Sequence, residues 1–293
     1  MKKIKIGYSD FWGELIPDDN YFFNLLSQKY DVEIDNNNPD ILFYTVYSRN
    51  HMTYDMNKVI KILYTGENQR PNYNECHYSL SFDYSEDPRN YRLPLWALIL
   101  NWFDRPYRDE RDQAYLHNID DFLNKKHIEK SKFCSFIASN AAGKRLEFLP
   151  KIYQYKHIDC GGRIYNNVPQ IKGRGDQIYK IEFLKDYKFN IAFENSSFPG
   201  YCTEKIINSM FAGCIPIYWG DPLVVDDFNE NSFLNWHKFN SDEKLIEEII
   251  KIDNNQDLYN DMINQPWFKD NKIPDFIKPE SVLSFFEKII EQI

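Results

Sequence analysis

Short apolar runs alternate with stretches of helical period along most of the chain. Lys3–Tyr8 alternates polar and apolar positions, which predicts a first strand. Asp18 and Asp19 stand where they can cap an amphipathic segment carrying Tyr21, Phe22, Leu25 and Leu26. Apolar runs recur at Val32–Ile34, Ile41–Val46, Val59–Tyr64 and Tyr78–Phe82. That is the rhythm of a parallel sheet flanked by helices. Leu93–Phe103, the most apolar stretch, reads as a short buried helix. From Asp104 to Lys132 the chain turns charged and loses strand character, so short surface helices and a linker are expected there. A domain boundary follows near residue 128.

A second α/β rhythm begins at Phe133–Ala138. A helix is expected from Ala141 to about Tyr155, then a strand around His157–Cys160 that ends in Gly161-Gly162. A polar loop runs through Arg163–Gln177, and Ile181–Tyr187 reads as helical. Near the end, Ser241–Ile252 and Leu258–Met262 are helical, and Pro279–Ile293 aligns Val282, Phe285, Phe286, Ile289, Ile290 and Ile293 on one face. A helix this apolar must dock. Its other face carries Glu280, Glu287 and Glu291 with only Lys288, which favours packing back on the amino-terminal domain over a membrane surface. The expected division is 1–128, 129–268 and a terminal helix in 269–293, with an α/β fold throughout.

Residues 189–222 carry most of the chemistry. The apolar run Phe189–Phe193 ends in Glu194 and Asn195; a loop with Pro199 and Gly200 leads to a helical segment opening on Thr203, Glu204 and Lys205. A second run, Ile215–Trp219, closes on Gly220. Strand, loop, helix and strand in that order gather polar residues at a strand's carboxyl end and a helix's amino end. Ligands of open α/β sheets bind at that edge, and a helix amino terminus favours anions. Lys205 adds positive charge there. The pattern fits a phosphate-bearing ligand, and equally an ordinary βαβ unit whose loop is polar.

Composition narrows the field. The chain has 293 residues, 43% hydrophobic and 17% aromatic, enough for packed cores in one large domain or two ordinary ones. A formal charge of −9 argues against a nucleic-acid partner, which would call for a basic stripe. Any anionic ligand must therefore be met by cations concentrated locally. The five cysteines (Cys76, Cys134, Cys160, Cys202, Cys214) lack metal-type spacing, and an odd count without a secretory signal favours reduced thiols in a cytosol. Met1–Gly7 reads as a first strand rather than a signal peptide, and no run approaches the roughly 18 apolar residues of a membrane span. At most peripheral membrane contact is expected. The six histidines show no paired spacing and read as structural or solvated.

One resemblance is specific. Glu194-Asn195, then Tyr201-Cys202-Thr203-Glu204-Lys205, then Gly213-x-x-Pro216-x-Tyr218-x-Gly220, resembles the donor-binding signature of the α-1,3/4-fucosyltransferases, glycosyltransferase family 10. The departure is Cys202, where the family usually has Val. Ser139-Asn140 with Arg145 resembles the family's element whose Arg contacts the diphosphate. Tyr64-Thr65-Gly66-Glu67-Asn68, followed by Pro71-Asn72-Tyr73-Asn74 and Ser81-Phe82-Asp83, resembles its acceptor-domain element, in which the Glu is the base. The resemblance spans most of residues 60–230. It implies a GT-B fold, two Rossmann-like domains facing a central cleft, and an inverting transfer of L-fucose from GDP-β-L-fucose to the N-acetylglucosamine of an N-acetyllactosamine-type oligosaccharide. With no membrane span evident, it points to a bacterial enzyme acting on surface-glycan precursors at the cytoplasmic side.

Such a transfer needs a base for the acceptor hydroxyl, stabilisation of the departing diphosphate, and an in-line geometry. The Asp-x-Asp signature of metal-dependent sugar transferases does not occur in the sequence, so side-chain cations and backbone amides are expected to hold the leaving group, with no cofactor or metal required. By resemblance Glu67 is the base. Arg145 and Lys205 hold the diphosphate, Glu204 suits the ribose hydroxyls, and Glu194, Asn195 and Tyr201 line the donor. Gly161-Gly162 would let backbone approach a ligand beside Arg163, and Trp219 reads as sheet packing. Rival expectations are another GDP-deoxyhexose, an α-1,4 linkage, or an inactive glycan- or nucleotide-binding protein. Loops Ser48–Met56 and Asp104–His117 would decide the acceptor.

Overall fold

A computed structural model describes residues 1–12, 15–103, 117–120, 129–171 and 177–293. These form two compact units. Met1–Leu98 and Pro274–Ile293 belong to one; Ile99–Asn101 and the described residues from 117 to Ile273 belong to the other. The expected boundary near 128, most of the charged stretch 104–132 and the end of the loop 163–177 lie outside the described residues.

The first unit is built on a six-stranded, all-parallel sheet: β1 (Lys3–Ser9), β2 (Asp31–Ile34), β3 (Ile41–Tyr44), β4 (Ile60–Tyr64), β5 (Tyr78–Ser81) and β6 (Asn90–Arg92), in the order β2-β1-β3-β4-β5-β6. All four residues of β3 are buried, as suits a central strand covered on both faces, whereas β2 at the edge is half-exposed. Helix α1 (Tyr21–Leu26) is capped by Asn20, whose Oδ1 accepts from the amides of Phe22 (3.0 Å) and Phe23 (3.1 Å). Asp18 and Asp19 do not cap it; Asp19 instead accepts from the Asn24 side chain at 2.9 Å.

The run Leu93–Phe103 is not one helix. It divides into α2 (Leu95–Leu98) and strand β7 (Leu100–Asn101), which pairs with β8 (His117–Asn118). A short apolar run does not reveal its own period, and Asn101 joins a strand pair that sequence reading could not anticipate.

The second unit holds a five-stranded parallel sheet, ordered β10-β9-β11-β12-β13: β9 (Lys132–Phe136), β10 (Ile158–Cys160), β11 (Tyr187–Phe193), β12 (Ile215–Trp219) and β13 (Leu234–Asn235). Helices α3 (Gly143–Ile152), α4 (Gln177–Leu184) and α5 (Glu204–Phe211) link or flank these strands. The helix expected at Ile181–Tyr187 starts earlier and stops at Leu184, because Tyr187 already pairs with Lys132 in the sheet. After α6 (Trp236–Phe239), α7 (Asp242–Asp253) and α8 (Gln256–Ile263), the chain returns to the first unit at Pro274.

There α9 (Pro279–Ile290) buries Val282, Phe286, Ile289 and Ile290, with Pro279 in its first turn. Phe286 meets Phe43 edge-on at 5.7 Å, and Phe285 meets Tyr91 at 5.3 Å. The Lys2 ammonium donates to the carbonyl of Ile290 at 2.8 Å. Each fully buried aromatic or aliphatic side chain contributes about 1.5–3 kcal/mol. Ile293, by contrast, is 45% exposed and lies off the packed face. Among the described residues no helix is long and apolar enough to cross a membrane, and all five cysteines are buried free thiols.

Candidate functional site

The residues that the sequence singles out in the second unit lie where β9, β11 and β12 end. β11 runs buried to Phe193, and the amide of Glu194 extends the ladder by donating to the carbonyl of Trp219 at 2.7 Å. The Glu194 side chain then turns under the following loop. Gly220 makes this possible: a Cβ there would stand 2.4 Å from the Cγ of Glu194 and 2.8 Å from the hydroxyl of Tyr218. Gly200 (φ 86°) needs the left-handed conformation only glycine adopts freely, and its amide donates to Asp221 at 2.7 Å, pinning the loop.

Glu194 is fully buried and its carboxylate is saturated by protein donors. It accepts from the amide of Thr203 (2.8 Å), from the Thr203 hydroxyl (2.8 Å) and from the Lys205 ammonium (2.8 Å). The Thr203 hydroxyl also accepts from Lys205 at 2.7 Å. Thr203 is the residue that precedes α5, yet its side chain serves Glu194 instead of capping the helix. The first amides of α5 therefore have no side-chain acceptor from that position, and the helix amino end stays attractive to an anion. Beneath it, Asn190 ties three elements together: it accepts from Ser135 at 3.0 Å and donates to Ser209 at 2.7 Å, and Ser209 donates to the carbonyl of Lys205 at 2.8 Å.

Above this buried layer lies a cavity of about 240 Å³. Ser139, Asn140 and Arg145 line it from the β9 side, and Asn195, Glu204 and Lys205 from the β11 side. Lys180, Asn190 and Asn208 add to its polar wall. The structure thus brings together four of the residues singled out by sequence: Arg145, Asn195, Glu204 and Lys205. Glu194 and Tyr201 do not line the cavity. Tyr201 is 2% exposed, and its hydroxyl donates to the Oδ1 of Asn195 at 2.9 Å, orienting that amide. Both hold their neighbours in place.

Charge in the cavity is tightly arranged. Arg145 is buried; its Nε and Nη2 donate to the carbonyl of Phe193 (3.1 and 2.6 Å) and its Nη1 to the carbonyl of Asn140 (3.0 Å). Burial lowers its pKa from the ordinary value, and Glu194 and Glu204 work against that shift. For Lys205, burial also favours the neutral form, but the carboxylates of Glu194 and Glu204 prevail and raise its pKa. Glu204 lies 3.7 Å from Lys205 and 3.9 Å from Lys180. Burial alone would raise its carboxyl, yet the two ammonium groups hold it down at about 2.

Gly161 and Gly162 do not open a path to a ligand. A Cβ on Gly162 would lie 2.3 Å from the carbonyl oxygen of Ala138, so the glycine is needed for backbone-to-backbone packing. Arg163 is exposed and absent from the cavity wall. Trp219 packs on the sheet core beside Phe193, and Cys202 is buried.

In the first unit, Glu67 follows the end of β4. The Thr65 hydroxyl accepts from the Glu67 amide at 3.2 Å and donates to its carbonyl at 3.1 Å, which fixes the turn. A Cβ at Gly66 would come within 3.1 Å of the Leu95 side chain, a tight contact that Leu95 would have to yield to. The Glu67 carboxylate is half-buried and accepts from the hydroxyl of Tyr47 at 3.0 Å. Tyr47 is 53% exposed and meets Trp12 edge-on at 5.8 Å.

Sequence reading missed two features. Lys180 sits on α4 with no motif around it. His51, read as structural or solvated, lies between two carboxylates, 2.6 Å from Asp10 and 3.3 Å from Glu75, and stacks on Tyr44 at 4.0 Å. Its partners are 41 and 24 residues away, beyond any local signal. Among the described residues no group of three or more His, Cys, Asp or Glu is placed to hold a metal ion.

Two family models match the chain. Residues 6–99 match the alpha-(1,3)-fucosyltransferase FucT N-terminal domain, and residues 127–285 match the glycosyltransferase family 10 (fucosyltransferase) C-terminal domain. The alpha-(1,3)-fucosyltransferase FucT of Helicobacter pylori is 30% identical over 98% of this chain and 66% of its own length. A putative fucosyltransferase of Acanthamoeba polyphaga mimivirus is 35% identical over 50% of this chain and 25% of its own. The chain thus spans two thirds or less of the length of these relatives. A crystal structure of an alpha1,3-fucosyltransferase with GDP-fucose superposes with a TM-score of 0.77 at 27% identity, covering 99% of this chain and 91% of that one. A second, of an alpha1,3-fucosyltransferase with GDP, gives 0.77 at 29% identity, with the same coverage of both chains. On fold, α/β with parallel sheets, the chain is of the GT-B class of those structures. By both of its matched segments, the chain belongs to glycosyltransferase family 10, the fucosyltransferases.

Proposed function

We propose that the protein is an inverting α-1,3-fucosyltransferase that moves L-fucose from GDP-β-L-fucose to the N-acetylglucosamine of an N-acetyllactosamine-type acceptor. The acceptor would be a bacterial surface-glycan precursor, and the enzyme would act in the cytoplasm, at most peripherally on the membrane. The observation that carries the reading is the cation-lined cavity at the carboxyl edge of the second sheet, beside the amino end of α5, which Thr203 does not cap with its side chain. Asn195 and Glu204 offer it hydroxyl- and amide-recognising groups; a carboxylate suits the ribose hydroxyls of a nucleotide, which donate to it.

In this reading the acceptor hydroxyl attacks the anomeric carbon of fucose while the bond from that carbon to the β-phosphate oxygen breaks. Glu67 takes the hydroxyl proton, configuration inverts once, and GDP leaves with the electron pair of the broken bond. Cavity cations and the α5 amides offset the charge that develops on GDP, so no resident metal is required. Incubation with GDP-fucose and N-acetyllactosamine tests this. The expected result is acceptor-dependent GDP release matched by a product heavier by one deoxyhexose. No product and no acceptor-dependent release would overturn it.

A further inference from the structure

Three chain segments leave neighbouring strands at the carboxyl edge of the first sheet: the exit of β1, the exit of β3 and the link from β4 to β5. They carry Trp12, Tyr47 and Glu67 in turn. One buried side chain, His51, joins the same three segments. Its Nδ1 lies 2.6 Å from Asp10, just past β1, and its Nε2 lies 3.3 Å from Glu75 in the β4–β5 link. Its ring stacks at 4.0 Å on Tyr44, the last residue of β3.

Asp10 binds the first two segments more closely still. Its carboxylate accepts from the amides of Asn50 and His51, both at 2.9 Å, and its carbonyl accepts from the Thr45 hydroxyl. Asp10 holds a left-handed backbone to do so (φ 63°), a conformation that persists in a non-glycine residue only where its surroundings fix it. Glu75 accepts from the Asn72 side chain at 2.9 Å and from Arg49 at 3.4 Å, which anchors the far end. Buried ionisable clusters add little net stability over apolar packing, but they can fix one arrangement of the chain. What this cluster fixes is the spacing of Trp12, Tyr47 and Glu67. Tyr47 is too exposed to be set by burial; it meets Trp12 edge-on, and its hydroxyl donates to Glu67 at 3.0 Å. We infer that His51, with Asp10 and Glu75, is a positioning residue for the transfer, acting through Tyr47 on Glu67. Tyr47 holds one oxygen of the Glu67 carboxylate, and the other is turned to the acceptor hydroxyl. This rests on reading Glu67 as the base.

The test is a double-mutant cycle, with turnover on GDP-fucose and N-acetyllactosamine measured for His51→Phe, Tyr47→Phe and the pair. His51→Phe keeps a ring on Tyr44 and removes both polar contacts. Alone it is expected to lower kcat by about three- to tenfold, the scale of one hydrogen bond. GDP affinity by calorimetry should stay within about twofold. In the Tyr47→Phe background the same change should lower kcat by less than about twofold, because the contact it acts through is already gone. Wild-type kcat in His51→Phe would overturn the inference. So would equal losses in both backgrounds, the mark of a merely structural role. Should His51→Phe fail to fold, the half-buried Glu75→Gln takes its place in the cycle, with an expected loss of about two- to fivefold that disappears beside Tyr47→Phe. An unchanged kcat in Glu75→Gln, or the same loss in both backgrounds, would overturn it equally. Full turnover by Glu67→Gln would put the fault in the base assignment and remove the inference with it. A wild type without transfer would defeat the transferase reading and the inference together.

Discussion

The two sheet edges are made alike and equipped differently. Each ends a parallel sheet, and each presents polar residues just past buried strands. At the second, a fully buried carboxylate, Glu194, is saturated by Thr203 and Lys205, and these contacts fix the start of α5. At the first, Glu67 is half-buried and its carboxylate accepts from Tyr47. A group that must hold a charged ligand benefits from rigidity, whereas a group that must accept a proton has to stay within reach of a substrate. The contrast teaches that polar residues at equivalent topological positions can differ sharply in burial; under the proposed function the covered carboxylate serves architecture and the reachable one chemistry.

The comparison breaks most visibly at Lys205. Lys205→Met removes the partner of a buried carboxylate, and leaving such a charge uncompensated costs about 3–5 kcal/mol. Denaturant unfolding should show that loss, and GDP affinity should fall with it. A stability change under about 1 kcal/mol would mean that Glu194 is not held as described.

A second carboxylate at the same edge, Glu204, sharpens the contrast through pH. Folding holds Glu204 at about 2, below its ordinary 4.5, so its charged form is favoured by the native state. The stabilisation is fully present above pH 4.5 and drains away as pH falls toward 2. Thermal unfolding across that window should show a steeper acid loss in the wild type than in Glu204→Gln. Parallel curves would contradict the assigned ion pairs.

The smallest effect is expected at the first edge. Tyr47→Phe removes one hydrogen bond to Glu67 from an exposed side chain. Turnover should change by about three- to tenfold with stability unaltered, a range set by one hydrogen bond of about 0.5–1.5 kcal/mol.

How much of this was legible in the sequence follows the same division. Strands β3, β4, β11 and β12 announce themselves as apolar runs, and the order of strand, loop and helix placed Asn195, Glu204 and Lys205 at one edge before any coordinates. Glu194 and Tyr201 could not be separated from them, because a motif shows which residues are neighbours and not which are covered. The decisive fact for Glu194 is Gly220, 26 positions on, which leaves room for its side chain. Lys180 was invisible for the opposite reason: it reaches the cavity from a helix whose sequence carries no signature, and only the packing of α4 near α5 brings it to Glu204. Likewise Leu93–Phe103 carried apolarity without period, and Asn20 rather than Asp18 or Asp19 is the cap of α1, its side chain accepting from the amides of Phe22 and Phe23.

The most direct test pairs two readings on one variant. Glu67→Gln keeps the size of the side chain and removes its basicity. GDP affinity, measured by calorimetry, should stay within about twofold of the wild type, while turnover with GDP-fucose and N-acetyllactosamine falls by about a hundred- to ten-thousandfold. Near-wild-type turnover, or GDP affinity that falls in step with the rate, would contradict the assignment of chemistry to the first edge and binding to the second.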